Sequence, residues 1–168
     1  MEGARTAGFA GDITPHEIVN RRNGSDPIDD ASSSTMVEID QTESLRLLAS
    51  ARYGRVVFTR DALPAIRPAN HLFDGGMILI RTRLLAQLSS TPRTAPGVVV
   101  AYQADDIDPV GRMGWSVVVT GFARPVTDPQ LIARCERLLA PWGDPAPTFV
   151  IGIEPTIVKG VRLTEIPR

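Results

Sequence analysis

Apolar and polar residues change period several times along the chain, and each change predicts an element. Leu45, Leu48 and Ala49 recur at helical spacing behind Asp40-Gln41-Thr42-Glu43, a pattern in which the first side chain and an acidic residue three positions on satisfy free amides. The spacing predicts a helix over 41–52, stopped at Gly54. Short β-type runs follow over 56–59, 64–73 and 77–82. The last two are joined by Asp74-Gly75-Gly76, a strong hairpin signal because Gly tolerates the positive φ of a tight turn. Pro64 and Pro68 cannot donate to a ladder, so the second run starts at a sheet edge or carries a bulge.

Leu84, Leu85 and Leu88 predict a short helix before the breaker-rich stretch 89–97. A fourth strand spans 98–102, a loop rich in Asp spans 103–113, and a fifth strand spans 115–124. Thr127-Asp128-Pro129 starts a second helix, with Asp as the cap and Pro in the first turn. Its apolar stripe is Leu131, Ile132, Cys135, Leu138 and Leu139, and Pro141 ends it. Two final strands cover 148–154 and 156–164. Residues 1–39 lack apolar periodicity and end in a Ser-rich run. They are expected to be a flexible N-terminal extension to a single domain over 40–168; a short helix near Pro15 is a weaker alternative. The resulting fold class is mainly β, an antiparallel barrel with peripheral helices, since closure removes exposed edges.

Composition narrows the partners. With 18 Lys and Arg against 19 Asp and Glu, the net charge of -1 carries no footprint for nucleic acid or anionic lipid. A single Cys135 excludes an internal disulfide and a Cys-rich metal site. No apolar run reaches the ~20 residues of a membrane helix, and the N-terminus does not read as a secretory signal. A cytoplasmic protein without membrane or nucleic-acid partners is expected.

Enzyme templates are missing: no nucleophile elbow, no phosphate-cradling P-loop and no dinucleotide fingerprint. His16 and His71 lie far apart, no metal site is expected, and Asp105, Asp106 and Asp108 read as a solvated loop rather than a calcium loop. The polar residues placed on apolar strands stand out. Arg67 shares a strand face with Ala65, Ala69 and His71, while Arg81 and Thr82 end the third strand. A guanidinium and a hydroxyl beside a helix start suit a phosphate; alternatively, both arginines reach the rim and pair with local acids. Trp115 either packs beside a planar ligand or caps the core.

Taken together, Gly54-Arg55-Val56-Val57-Phe58-Thr59, Ala65-Ile66-Arg67-Pro68-Ala69-Asn70-His71, Ile80-Arg81-Thr82 and Gly114-Trp115-Ser116 resemble the pyridoxamine 5'-phosphate oxidase-like, FMN-binding split-barrel family, in its short actinobacterial branch. The similarity runs from about Asp40 to Arg162. It implies a homodimeric six-stranded split barrel binding FMN, or in some members the deazaflavin F420, in grooves between subunits. Arg67, Pro68, Ala69, Asn70 and His71 would line the isoalloxazine, largely through backbone groups. Arg81 and Thr82 would hold the phosphate, and Trp115 and Ser116 would approach from the partner subunit. The chain departs from the family pattern where Arg83-Leu84-Leu85-Ala86 replaces a Gly and a phosphate-binding Lys. The C-terminal signature of the vitamin B6 oxidase itself is also missing, with Trp142 in a Pro-rich stretch and Arg162-Leu163 outside that context.

The expected function is therefore a flavin- or deazaflavin-dependent oxidoreductase acting on a small molecule, with His71 as the only candidate proton donor near the ring. The alternatives are a non-catalytic module for FMN, F420 or haem, in which His71 would be an axial ligand, and a cofactor-free dimeric scaffold.

Overall fold

The computed structural model describes residues 34–82, 97–139 and 149–165. Nine elements follow in chain order: β1 (Ser34–Ile39), α1 (Gln41–Ser50), β2 (Tyr53–Arg60), β3 (Leu63–Asp74), β4 (Met77–Thr82), β5 (Val98–Ile107), β6 (Gly114–Pro125), α2 (Pro129–Leu138) and β7 (Phe149–Glu165). Residues 1–33 of the expected 1–39 extension, the helix around Leu84–Leu88, and Pro141 lie outside the described residues.

All strands are antiparallel neighbours in one sheet, ordered β1-β7-β4-β3-β2-β5-β6, and β6 pairs back onto β7. Strands β2 to β7 thus close a six-stranded ring, the split barrel, and β1 adds to its longest member. That strand, β7, serves three neighbours. Its residues 149–153 pair with β4, residues 160–165 with β1, and one long ladder with β6. Closure leaves few of the free edges that a small open sheet would carry.

Several elements differ from the sequence expectation. Residues 34–39, read with the extension, form β1 because Thr35, Val37 and Ile39 are β-branched and residues 160–165 offer a paired edge. The expected loop 103–113 is strand as far as Ile107: Tyr102 and Ala104 are buried, and Gln103 and Asp105 face outward. The remaining loop is held by Asp108, whose amide donates to the Met113 carbonyl (2.8 Å) and whose carboxylate accepts the amides of Val110 and Gly111 (3.0 and 2.9 Å). The two final strands are one, passing through Pro155 at a register shift opposite Gly121. A Cβ at Gly121 would collide with the Glu154 carbonyl, so glycine permits this close approach.

The β3 prolines sit as their chemistry requires. Residues 63–70 pair with β2 alone, and only His71–Asp74 pairs with β4. The β3–β4 turn uses Gly75 and Gly76 at φ 57° and 80°, whereas the β2–β3 turn places Asp61 and Ala62 at φ 51° and 62°.

The barrel interior is filled by Val56, Phe58, Ile78, Ile80, Val100, Tyr102, Val117, Val119, Ile151 and Ile153, with Leu47 and Leu48 of α1 in the same cluster. Asp40 caps α1 by accepting the Glu43 amide at 2.9 Å. The Glu43 carboxylate, instead of returning to the cap, accepts from Arg46 (2.6 and 2.8 Å) and from Arg162 on β7 (2.7 Å). Gly160 lets Ser44 and Ile39 approach β7, since a Cβ there would strike both. Helix α2, capped by Asp128 with Pro129 in its first turn, builds a second cluster. It buries Cys135 and Leu139 against Leu79 and Val150. Leu138, expected in this stripe, is 52% exposed because Leu139 takes the inward position. No helix among the described residues is long and apolar enough to cross a membrane.

Candidate functional site

The segment joining α1 to β2 divides two cavities. Ser50, Ala51, Arg52 and Tyr53 line both. The larger, of about 610 Å³, is completed by Ala49, by Asn70 and His71 on β3, and by Leu138 and Leu139 at the end of α2. The smaller, of about 250 Å³, is completed by Asp105 and Asp106 on β5 and Trp115 on β6. The larger falls within the size range of small-molecule sites. Among the described residues its lining includes one cation, Arg52, and no carboxylate, a setting suited to a neutral or anionic ligand.

His71 is the most constrained residue of this wall. It is 6% exposed, and its Nε2 stands 2.8 Å from the Leu48 carbonyl in the last turn of α1. A carbonyl only accepts, so Nε2 carries the proton. Nδ1 stands 2.9 Å from the Tyr102 hydroxyl, which lies 3.0 Å from the Ala69 carbonyl. The two rings meet edge to face at 5.2 Å. Burial pushes the His71 pKa down, partly offset by the hydrogen bond to Leu48. Burial also pushes the Tyr102 phenol well above its ordinary value. Gly54 makes room for this arrangement: a Cβ there would lie 2.6 Å from the Tyr102 ring. With both nitrogens in internal hydrogen bonds, His71 cannot reach iron, or hand a proton to a ligand, without breaking one of them.

The other sequence-predicted residues are dispersed. Asn70 joins His71 in the larger cavity. Ala69 is buried and contributes its carbonyl to Tyr102. Arg67 and Pro68 are exposed, and the Arg67 guanidinium donates to the adjacent Ile66 carbonyl at 2.9 Å. Arg81 is half-buried and donates to the carbonyls of Leu139 (2.9 Å) and, more loosely, Glu136 (3.4 Å) at the end of α2. Thr82 is buried beside it in sequence. Trp115 is 8% exposed, belongs to the barrel core and lines the smaller cavity. Ser116 is half-buried, and its hydroxyl accepts weakly from Gln103 at 3.4 Å. This chain thus brings Asn70 and His71 together and keeps Trp115 across the α1–β2 segment from them. No cluster of three or more His, Cys, Asp or Glu among the described residues could hold a metal ion.

Sequence reasoning missed Tyr102 and Arg52. Tyr102 sits in a Val-Val-Val-Ala-Tyr run that reads as core. Its signal was chemical, since a buried phenol needs a partner and His71 is one of two histidines available.

Residues 40–162 match the family model described as pyridoxamine 5'-phosphate oxidase. An uncharacterized protein of Mycobacterium tuberculosis, Rv0080, is 56% identical over 134 residues, covering 79% of this chain and 88% of its own. A Corynebacterium glutamicum crystal structure named for pyridoxamine 5'-phosphate oxidase superposes with a TM-score of 0.64 at 30% identity, covering 79% of this chain and 100% of its own. The FAD binding protein from Mycobacterium smegmatis superposes with a TM-score of 0.59 at 34% identity, covering 78% and 100%.

Proposed function

Because this chain belongs to the pyridoxamine 5'-phosphate oxidase family, we propose that it binds a flavin nucleotide and uses it as an oxidoreductase on a small molecule. The observation that carries the reading is the roughly 610 Å³ cavity beside Asn70 and His71, whose described lining is free of carboxylates. A relative at 34% identity is an FAD binding protein, and the family resemblance implies FMN. The two nucleotides share the isoalloxazine and a phosphate.

The flavin, when bound, supplies the electron transfer. This chain's residues bind, orient and exclude water. Asn70 and His71 line this cavity, and the resemblance implies that residues 67–71 would meet the ring largely through backbone groups. Arg52 supplies positive charge at its wall. Arg81 contributes to phosphate binding only by sharing its guanidinium with the α2 carbonyls. His71 positions the wall through Leu48.

The reading includes a homodimer. One outward row of the barrel runs Ile66, Val57, Ala101, Thr120 and Ile157 across five paired strands. Ile66 and Ile157 are about half exposed, as is Val99 nearby. A largely apolar row of this kind, interrupted only by Thr120, marks an interaction surface, and a second copy is the occupant proposed. Trp115 and Ser116 would then meet the cofactor held by the other subunit.

Titration with FMN, FAD and the deazaflavin F420, followed by visible absorption and melting temperature, tests the reading. A flavin that binds at micromolar concentration should raise the melting temperature, because a ligand specific for the folded state stabilises it. A protein whose melting temperature answers to F420 alone, or to none of the three, overturns the flavin assignment.

A further inference from the structure

Around His71, the single Tyr102 proton faces two acceptors. The neutral ring has a single N–H, already given to Leu48. Tyr102 likewise has one proton, yet its hydroxyl stands within reach of two acceptors, His71 Nδ1 at 2.9 Å and the Ala69 carbonyl at 3.0 Å. Tyr102 can donate to only one of them at a time, and Ala69 also pairs with Gly54 in the β2–β3 ladder, so Tyr102 donates to the neutral ring at Nδ1. A second proton on the ring would be accommodated by the same three groups. Nδ1–H would donate to the Tyr102 oxygen, Tyr102 would donate to Ala69, and Nε2–H would still meet Leu48.

The surroundings half-prepare that state. Leu48 lies in the last turn of α1, a turn with no basic residue of its own, and a helix C-terminus favours a nearby cation. Burial opposes the charge. The titratable groups facing the ring are Tyr102 on β5 and, around the cavity, Arg52 and Tyr53. Strand β4 presents Ile80, and α2 presents Leu138 and Leu139. No described carboxylate of this cavity supplies the missing counter-charge. A ligand could.

We propose that His71 and Tyr102 form a proton-accepting pair coupled to the groove, so that binding an anionic group there is accompanied by uptake of one proton. The proton comes from solvent and bonds to His71 Nδ1, while the Tyr102 hydroxyl turns its own proton to the Ala69 carbonyl. No bond between heavy atoms changes. The anion is a phosphate or an anionic ring, and the inference rests on the flavin reading only for which of these is supplied. Where uptake occurs, anion affinity falls as pH rises, by up to tenfold per pH unit.

The experiment follows the His71 imidazole by NMR against pH, and the signal lost in the His71→Gln variant distinguishes it from that of His16. Titrations are run on the free protein and with inorganic pyrophosphate, FMN, FAD and riboflavin, and calorimetry in buffers of different ionisation enthalpy counts protons. Glutamine can donate to Leu48 and accept from Tyr102 but cannot take the proton, so it separates titration from structure. An anion within about 4–6 Å should move the His71 midpoint upward by about 1–3 pH units. Uptake should approach one proton per ligand and vanish in His71→Gln. Pyrophosphate acting where FMN, FAD and riboflavin fail to bind supports the coupling while sinking the flavin reading. Riboflavin acting only on reduction supports the coupling and assigns the effect to the ring. A midpoint unmoved by every ligand, or equal proton uptake in His71→Gln, overturns the proposal.

Discussion

The Arg81 guanidinium on β4 donates to the Leu139 carbonyl across 2.9 Å, joining a barrel strand to the end of α2. The last carbonyls of a helix have no partners within it, and a cation there also meets the negative end of the helix. Leu139 lines the larger cavity, so Arg81 shapes the groove even where it does not touch a ligand. Arg81→Ala is expected to cost about 1–2 kcal/mol of stability and to weaken FMN binding at least tenfold. Urea unfolding and FMN titration read the two effects separately; lost stability with unchanged affinity removes the phosphate assignment.

Tyr102→Phe leaves His71 Nδ1 buried without its hydroxyl partner. A buried acceptor so orphaned costs about 1–3 kcal/mol. The measurement is the urea midpoint, with the slope unchanged if the barrel keeps its shape. A midpoint equal to wild type would mean that the hydroxyl contributes nothing to the wall.

His71 also gives stability a pH dependence with a definite sign. Its folded pKa is lowered by burial, so between the folded value and the unfolded value near ~6.5 the unfolded chain binds more protons. The contribution is complete above the unfolded pKa and is lost as pH falls through the folded one. Unfolding free energy should therefore drop from about pH 7 downward, and this segment should flatten in His71→Gln. A His71→Gln profile parallel to wild type would contradict it.

The β2–β3 turn carries Ala62 at φ 62°, a left-handed conformation that suits glycine. Ala62→Gly is expected to raise stability by about 1 kcal/mol. The turn is exposed, so a higher urea midpoint at unchanged slope is the full signature.

Ile157→Glu places a charge in the outward apolar row while leaving the interior untouched. The proposed dimer predicts that light scattering reports a dimer for wild type and a monomer for the variant. A variant that stays dimeric moves the interface to another face.

The hairpin at Asp74-Gly75-Gly76, both helix starts and the alternation of the inner strand residues were legible in the sequence because each depends on residues close in the chain. Backbone φ, capping and side-chain period are local physics. What remained hidden depends on distant partners. Residues 34–39 become a strand only because residues 160–165 lie alongside. Pro155 is tolerated inside β7 only because Gly121 lets the backbone close on it. The site divides in the same way. That Arg81, His71 and Trp115 were unusual residues for apolar strands was readable from their chemistry. That Arg81 spends a guanidinium nitrogen on α2, that Trp115 and His71 border different cavities, and that His71 meets the Tyr102 hydroxyl in a hydrogen bond was decided by tertiary structure. Hydrogen bonds between residues 31 apart or 58 apart leave no pattern in the chain that makes them.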